Sequence, residues 1–464
     1  MNPIRYISTR GAQTPLAFKD AVMTGLARDG GLLIPDRIPD VAARLEEWKD
    51  LDYPDLAFEI IRLFTDDVPE ARLKELIAAA YASFAHPEVV PVRKVGRLHV
   101  LELFHGPTLA FKDVALQFLG RLFEEILEER QGRLNILAAT SGDTGSAAIC
   151  GVRGQERIHI FVMHPHDRVS DLQERQMTSV LDANVFNLAV KGSFDDCQLI
   201  MKTLFSDLPF KDRHELGTVN SVNWARVLSQ IVYYFYAAFR VFEETGAAQV
   251  QFTVPTGNFG DILAGWYAKR MGLPISRLVL ATNENDILAR FFNTGVYAKG
   301  QVVPTVNPSM DIQVASNFER WLYYKVGSDP KAVARLMTQF ALEGRMEIPR
   351  DAKGRVDLEI VAGSSDTRRT LATIKRYHEK HNYLLDPHTA AGVFVAEQYD
   401  ELDDPMICLS TAHPAKFPDA IEDATGQDLA HHPALDALKK APTRCEVVEN
   451  SIDAIKTYLA ARAL

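Results

Sequence analysis

The sequence predicts an α/β chain built on open, largely parallel sheets, with a mainly helical region ahead of them. Two patterns carry that reading. From about residue 91 onward, short apolar runs alternate with longer amphipathic ones, as parallel strands alternate with crossover helices. Before that point, apolar residues recur at helical spacing in Pro54–Phe64 and Ala71–Phe84. The composition agrees with a globular chain, since 47% of the 464 residues are apolar and 24% are charged.

The elements follow in order. Gly-containing turns, notably Asp29-Gly30-Gly31, interrupt the N-terminal helices. Arg97–Phe104 reads as a strand. Thr108–Arg130 reads as a helix, with Phe111, Val114, Ala115, Phe118, Leu122, Ile126 and Leu127 on one face. Arg133–Ala139 is a strand, and a helix follows Thr144. Gln249–Val254 is a strand, Asp261–Met271 a helix and Arg277–Ala281 a strand. Met406–Leu409 is a short buried strand. The expected domains are a helical extension over 1–90, a discontinuous larger domain over 91–130 and 225–464, and a small α/β domain over 131–224.

Several function classes are disfavoured. Lys and Arg number 51 and Asp and Glu 61, a net charge of −10, whereas a nucleic-acid binder needs a basic face. A small anionic substrate remains compatible, because a few cations and backbone N–H groups suffice for it. The longest apolar run, Ile231–Phe239, stops at Arg240, far short of the roughly 20 residues of a membrane span. Met1–Tyr6 lacks the basic start and apolar core of a secretory signal. Cys150, Cys197, Cys408 and Cys445 form no C-x-x-C pair and read as free thiols. A cytosolic protein, monomer or homodimer, without nucleic-acid or membrane partners is therefore expected.

In parallel sheets, ligands collect at the carboxyl ends of strands, so the strand-to-helix junctions matter most. In the first, His105-Gly106-Pro107-Thr108 through Phe111-Lys112-Asp113, Thr108 is placed to cap the next helix. Lys112 falls in its first turn among apolar neighbours. Alone, it reads as a surface lysine. Desolvated near a positive helix end, its ammonium would be disfavoured, as a Schiff-base lysine requires. The second junction, Thr140-Ser141-Gly142-Asp143-Thr144-Gly145, combines glycines and hydroxyls at a helix start; it is either a capped turn or an anion site. In the third, Pro255-Thr256-Gly257-Asn258-Phe259-Gly260-Asp261, successive N–H groups can form an anion nest. It lacks both the G-x-G-x-x-G and the G-K-[ST] patterns, so a phosphate monoester suits it better than a nucleotide.

No metal is expected. His378-Glu379-Lys380-His381 is one residue short of H-E-x-x-H, and His164-Pro165-His166 and His431-His432 read as loops. No G-x-S-x-G elbow occurs.

A Schiff-base lysine and two glycine-rich anion loops on an open α/β sheet suit a pyridoxal-phosphate enzyme. The chain resembles the threonine synthase family, in its longer form with an N-terminal extension, over nearly its whole length. The resemblance rests on Tyr6-Ile7-Ser8-Thr9-Arg10-Gly11, Gly25-Leu26-Ala27 and Asp29-Gly30-Gly31-Leu32-Leu33-Ile34-Pro35. The three junctions add to it. So do Asn283-Glu284-Asn285-Asp286, Met310-Asp311-Ile312, Ser316-Asn317-Phe318-Glu319-Arg320 and Thr411-Ala412-His413-Pro414-Ala415-Lys416-Phe417.

The resemblance implies the tryptophan-synthase-β-like fold, fold type II. It implies conversion of O-phospho-L-homoserine and water to L-threonine and phosphate, the last step of threonine biosynthesis. It makes Lys112 the Schiff-base lysine, and Gly257, Asn258, Phe259, Gly260 and Asp261 the cofactor-phosphate loop. Thr411 would bond the pyridine nitrogen. Ser141, Gly142, Asp143 and Thr144 would face the substrate carboxylate and the phenolic oxygen. Asp143 stands where much of the wider fold carries Asn, and a carboxylate there must share a proton or point elsewhere. Lys416, Arg320 and Arg10, in that order, are the cations for the leaving phosphate. The competing readings are a related phospho-lyase releasing 2-oxobutyrate and a non-catalytic anion-binding protein on the same fold.

Overall fold

The computed structural model describes residues 3–140, 142–399 and 403–464. The chain forms two compact units. One comprises residues 1–78, 84–105 and 221–430, the other residues 79–83, 106–220 and 431–464. Each is built on one open sheet, as the alternating pattern predicts.

The first unit holds a six-stranded sheet. Its order is Ile360–Ser364, Ile275–Thr282, Val250–Pro255, Met406–Ser410, Leu98–Glu102 and Val92–Val95. All pairings are parallel except the last, a hairpin. Two small antiparallel ribbons accompany it, Tyr6–Ser8 with Leu33–Pro35 and Val296–Ala298 with Arg345–Glu347. Helix Trp224–Thr245 is buried along most of its length, as befits a helix apolar on nearly every side.

The N-terminal residues pack on that helix instead of forming a unit of their own. Tyr6 sits between Phe18 and Trp224 at ring-centroid distances of 5.9 Å. Its hydroxyl donates to the Phe64 carbonyl at 2.7 Å. Trp48 meets Phe235 edge-on at 6.1 Å. The helices Tyr53–Ile61 and Glu70–Tyr81 lie where helical spacing placed them.

The second unit holds a five-stranded, all-parallel sheet in the order Glu446–Val448, Val185–Val190, Ile158–Pro165, Leu134–Ala139, Leu216–Gly217. Two differences from the expected boundaries stand out. Helix Lys112–Glu129 belongs here, not with the larger sheet. So does the C-terminal segment, whose strand Glu446–Val448 pairs with Val185–Val190 and whose helix Ile452–Arg462 adds Ile455 and Leu459 to this core. His164 and Pro165 end a strand where a loop was expected.

Glycine sets how the helices of this unit cross. A Cβ on Gly120 would lie 2.0 Å from the Gly151 carbonyl oxygen, and one on Gly151 would lie 2.5 Å from that of Leu116. Helices Lys112–Glu129 and Asp143–Val152 therefore touch backbone to backbone.

Candidate active site

That close crossing accompanies the meeting of the two helix starts. Lys112 opens one helix and Asp143 the other, and Lys112 Nζ lies 3.6 Å from Asp143 Oδ2. Both are buried. The carboxylate is the counter-charge of the amine, so Asp143 points at Lys112. Its second oxygen accepts from Gln173 Nε2 at 3.4 Å.

The segment before Lys112 is held from inside the helix. Asp113 accepts from the Thr108 amide at 2.8 Å and from its hydroxyl at 2.7 Å. Thr108 is thus a donor to Asp113, and the N-cap position belongs to Phe111. Leu109 takes φ +60° within this turn, a strained choice for a β-carbon residue. In the second loop, Thr140 Oγ1 accepts from the amides of Gly142 at 3.1 Å and Gly145 at 3.0 Å. Gly142 precedes the helix, and the half-buried Thr144 occupies its first turn. Ser141 lies outside the described residues.

In the other unit, the third junction leaves strand Val250–Pro255 and enters helix Gly260–Arg270. Phe259 adopts φ +64°. Its ring stacks on Phe292 at 6.0 Å and meets Phe318 edge-on at 5.8 Å. Burial of that ring offsets the strain of the left-handed backbone. The Asn258 carbonyl accepts from the Asn317 amide at 3.0 Å. Among the described residues, no acceptor is bonded to the amides of Gly257, Asn258, Phe259 or Gly260. Four unpaired N–H groups before a helix start form a cradle that fits a phosphate monoester.

Asp261 departs from its expected role. Its carboxylate turns inward, accepting from Tyr233 at 2.5 Å and Tyr234 at 3.0 Å. Burial pushes its pKa up to about 6. Its side chain is therefore committed to the core and does not serve the phosphate.

The strand Met406–Ser410 ends at two hydroxyls in different settings. Ser410 Oγ lies 3.1 Å from Thr389 Oγ1, which donates to Asp386. Thr411 Oγ1 has no hydrogen bond among the described residues. Lys416 follows in a buried turn, Pro414–Lys416, with 2% exposure.

Two of the expected phosphate cations are corrected. Arg320 is fully buried and donates to the carbonyls of Leu33 and Val222 and to Asn317 Oδ1. Arg10 makes a two-pronged pair with Glu319, at 3.0 and 2.9 Å. Thr9 also donates to Glu319, at 2.6 Å. The N-terminal motif therefore clamps Glu319–Arg320, and both arginines build structure. Sequence reasoning passed over Arg226, in the first turn of helix Trp224–Thr245, where burial draws its pKa down to about 10.

Three family models match the chain. They are "Threonine synthase N terminus" over residues 5–81, "Pyridoxal-phosphate dependent enzyme" over 91–409 and "Threonine synthase, C-terminal" over 389–459. A threonine synthase of Pseudomonas aeruginosa is 46% identical over 465 residues, covering 98% of this chain and 98% of its own length. The chain belongs to the threonine synthase family. Another member, from Schizosaccharomyces pombe, is 46% identical and covers 90% of this chain and 88% of its own. The solved structure of pyridoxal-phosphate-bound threonine synthase from Brucella melitensis matches with a TM-score of 0.96 at 44% identity, covering 99% of both chains. Yeast threonine synthase matches with a TM-score of 0.94 at 40% identity, covering 99% of this chain and 98% of its own. As in the family, the cofactor is pyridoxal phosphate.

Proposed function

We propose that the chain converts O-phospho-L-homoserine and water to L-threonine and phosphate, with Lys112 as the residue that carries the cofactor. The observation behind this assignment is the buried lysine at a helix start beside a buried carboxylate. The amides of Gly257, Asn258, Phe259 and Gly260 would hold the cofactor phosphate, and Thr411 Oγ1 would donate to the pyridine nitrogen. When bound, pyridoxal phosphate supplies an electron sink for negative charge developing on substrate carbon.

The protein's own groups do the rest. Lys112 Nζ, once free, would take the α-proton, pass that proton on, and so be neutral again to take the β-proton, as a positioned base. Asp143 fixes where that amine sits, and Gln173 fixes Asp143. The helix start at Gly142, Asp143 and Thr144, with the Thr144 hydroxyl, suits the substrate carboxylate; Ser141 is assigned there by family resemblance alone. Lys416, in the buried turn after Thr411, is the cation assigned to the γ-phosphate. Departure of that phosphate opens the β-carbon to water. A hydroxyl, unlike a carboxylate, has no charge with which to stabilise a protonated ring, so Thr411 favours the unprotonated nitrogen. Four free cysteines agree with a reducing compartment such as the cytosol.

The test is borohydride reduction of the holoenzyme followed by peptide mapping, with threonine and 2-oxobutyrate measured in parallel. The label is expected on Lys112 alone and threonine as the main product. A label on another lysine overturns the assignment. Release of 2-oxobutyrate in place of threonine overturns the reaction.

A further inference from the structure

A group of donors outside the residues assigned above lies in the second unit. His164, next to last in strand Ile158–Pro165, is fully buried. Its Nε2 lies 3.6 Å from Cys445 Sγ, and its Nδ1 has no hydrogen-bond partner among the described residues. Glu174, on helix Asp171–Thr178, completes a set whose donor atoms all lie within 4.8 Å of one another. Among the described residues, the Glu174 carboxylate makes no hydrogen bond or ion pair. A buried imidazole therefore faces a thiol and an uncommitted carboxylate.

Imidazole nitrogen, thiolate and carboxylate oxygen are the donor types that zinc combines. Bonds of about 2.0–2.1 Å to nitrogen and about 2.3 Å to sulfur, at a tetrahedral angle, set the two donors about 3.5 Å apart. The observed 3.6 Å separation fits that edge without movement of the backbone. Glu174 is only half-buried, so its side chain can swing the remaining distance.

We propose that His164 Nε2, Cys445 Sγ and Glu174 form a three-ligand zinc site, with water in the fourth position. A thiolate and a carboxylate together balance the dication, and the imidazole binds neutral. The Cys445 thiol proton leaves to solvent, so each zinc bound releases one proton, and nothing is oxidised or reduced. The place in the fold gives the ion a task. Cys445 immediately precedes the three-residue edge strand Glu446–Val448, and His164 lies two strands further into the sheet. The metal staples the C-terminal segment to the sheet that it closes.

The experiment uses the full-length holoenzyme, stripped with a chelator and titrated with Zn²⁺ against a chromophoric competitor. One zinc per chain is expected, with one proton released. Cys445→Ser, His164→Gln and Glu174→Gln should each weaken binding at least tenfold, whereas Cys197→Ser should not. Co²⁺ should give an intense tetrahedral visible band that Cys445→Ser abolishes. Zinc should raise the thermal midpoint of the parent protein but not of Cys445→Ser, while threonine formation stays the same in both. Glu174 is partly exposed, so its variant keeps the test valid if either buried substitution fails to fold. Absence of stoichiometric zinc, or equal binding in the parent and Glu174→Gln proteins, overturns the proposal.

Discussion

Gly257→Ala tests whether the loop after strand Val250–Pro255 is a cradle for a phosphate or only a turn. A Cβ at this position would stand 2.6 Å from the Ser309 carbonyl oxygen and 3.5 Å from Met310 Cα. The first distance is well inside the roughly 3.5 Å optimum for non-bonded heavy atoms. The Ser309 segment resists displacement, because its amide donates to His388 Nε2 at 3.2 Å and His388 Nδ1 lies 2.9 Å from Asp386 Oδ1. The loop at 257–260 must give instead, and its unpaired amides move with it. Overpacking of this kind costs about 1–3 kcal/mol. Placed on cofactor binding, that is about a fivefold to 150-fold loss of affinity.

Gly260→Ala is the internal control. There the Cβ would meet side-chain atoms alone, Asn317 Nδ2 at 3.2 Å and Asn317 Cγ and Gln230 Oε1 at 3.7 and 3.8 Å, so a loss of less than about fivefold is expected. The assay is fluorescence titration of the apoprotein with pyridoxal phosphate, beside its thermal midpoint. The relaxed apoprotein should lose only a few degrees in either variant. Equal affinity losses at the two glycines, or a large fall in apoprotein stability with affinity unchanged, would refute the cradle.

Three further outcomes are expected. Lys416→Ala should raise the Michaelis constant for O-phosphohomoserine and lower kcat/KM about 10- to 150-fold, a loss of about 1.5–3 kcal/mol, with the cofactor retained; Arg320→Met should instead lower the unfolding free energy measured in urea by about 2–5 kcal/mol, because three acceptors lose their donor. Thr411→Ala should shift the nitrogen resonance of labelled cofactor and slow turnover, whereas Ser410→Ala should leave that resonance in place; the reverse pattern would reassign the partner. Asp261, with its pKa raised to about 6, keeps its proton in the folded state where the unfolded chain has lost it, so stability present below about pH 4 falls as pH rises through about 6, by about 3 kcal/mol; urea unfolding of Asp261→Asn should lack that slope, and parallel pH profiles would contradict it.

Much of this was legible because glycine, proline and hydroxyl residues punctuate strand-to-helix junctions in a way that has few structural solutions. The strands Leu134–Ala139 and Val250–Pro255 and the helices after them lie within a few residues of their expected bounds. What sequence could not supply was the direction of side chains. Asp261 follows the phosphate loop in the chain, yet its carboxylate enters the core to meet two tyrosines that lie 28 and 27 residues earlier. Arg320 reads as a cation near a family motif, and only its three-dimensional setting shows each of its three guanidinium nitrogens donating to an acceptor of the protein. The strand Glu446–Val448 is three residues long and mostly exposed, so it carries no alternation of apolar and polar residues by which to find it. Pairing across more than 250 residues assigned the C-terminal segment to its sheet.

Hydrogen bonds between distant segments of the larger unit explain why the loop at 257–260 can hold unpaired amides at all. Neighbouring parallel strands of the larger sheet end on one edge, and the residues just past them interlock. Asn283, after Ile275–Thr282, reaches Thr305 Oγ1, Asn307 Oδ1 and Asp311 Oδ1 at 2.8, 3.0 and 2.7 Å. Asn285 bonds Asp311 as well, at 3.0 Å. The segment 305–311 thus hangs from one strand end, and His388 pins its Ser309 amide from the start of helix Pro387–Ala396. That pinned segment presses its carbonyl against Gly257, while the aromatic cluster around Phe259 holds the next turn in a left-handed conformation. A loop caught from both sides pays its ordering entropy when the chain folds, not when the phosphate arrives. On the proposed assignment, affinity for the anion would be set as much by Asn283, Asp311 and His388, which need not touch it, as by the amides that would.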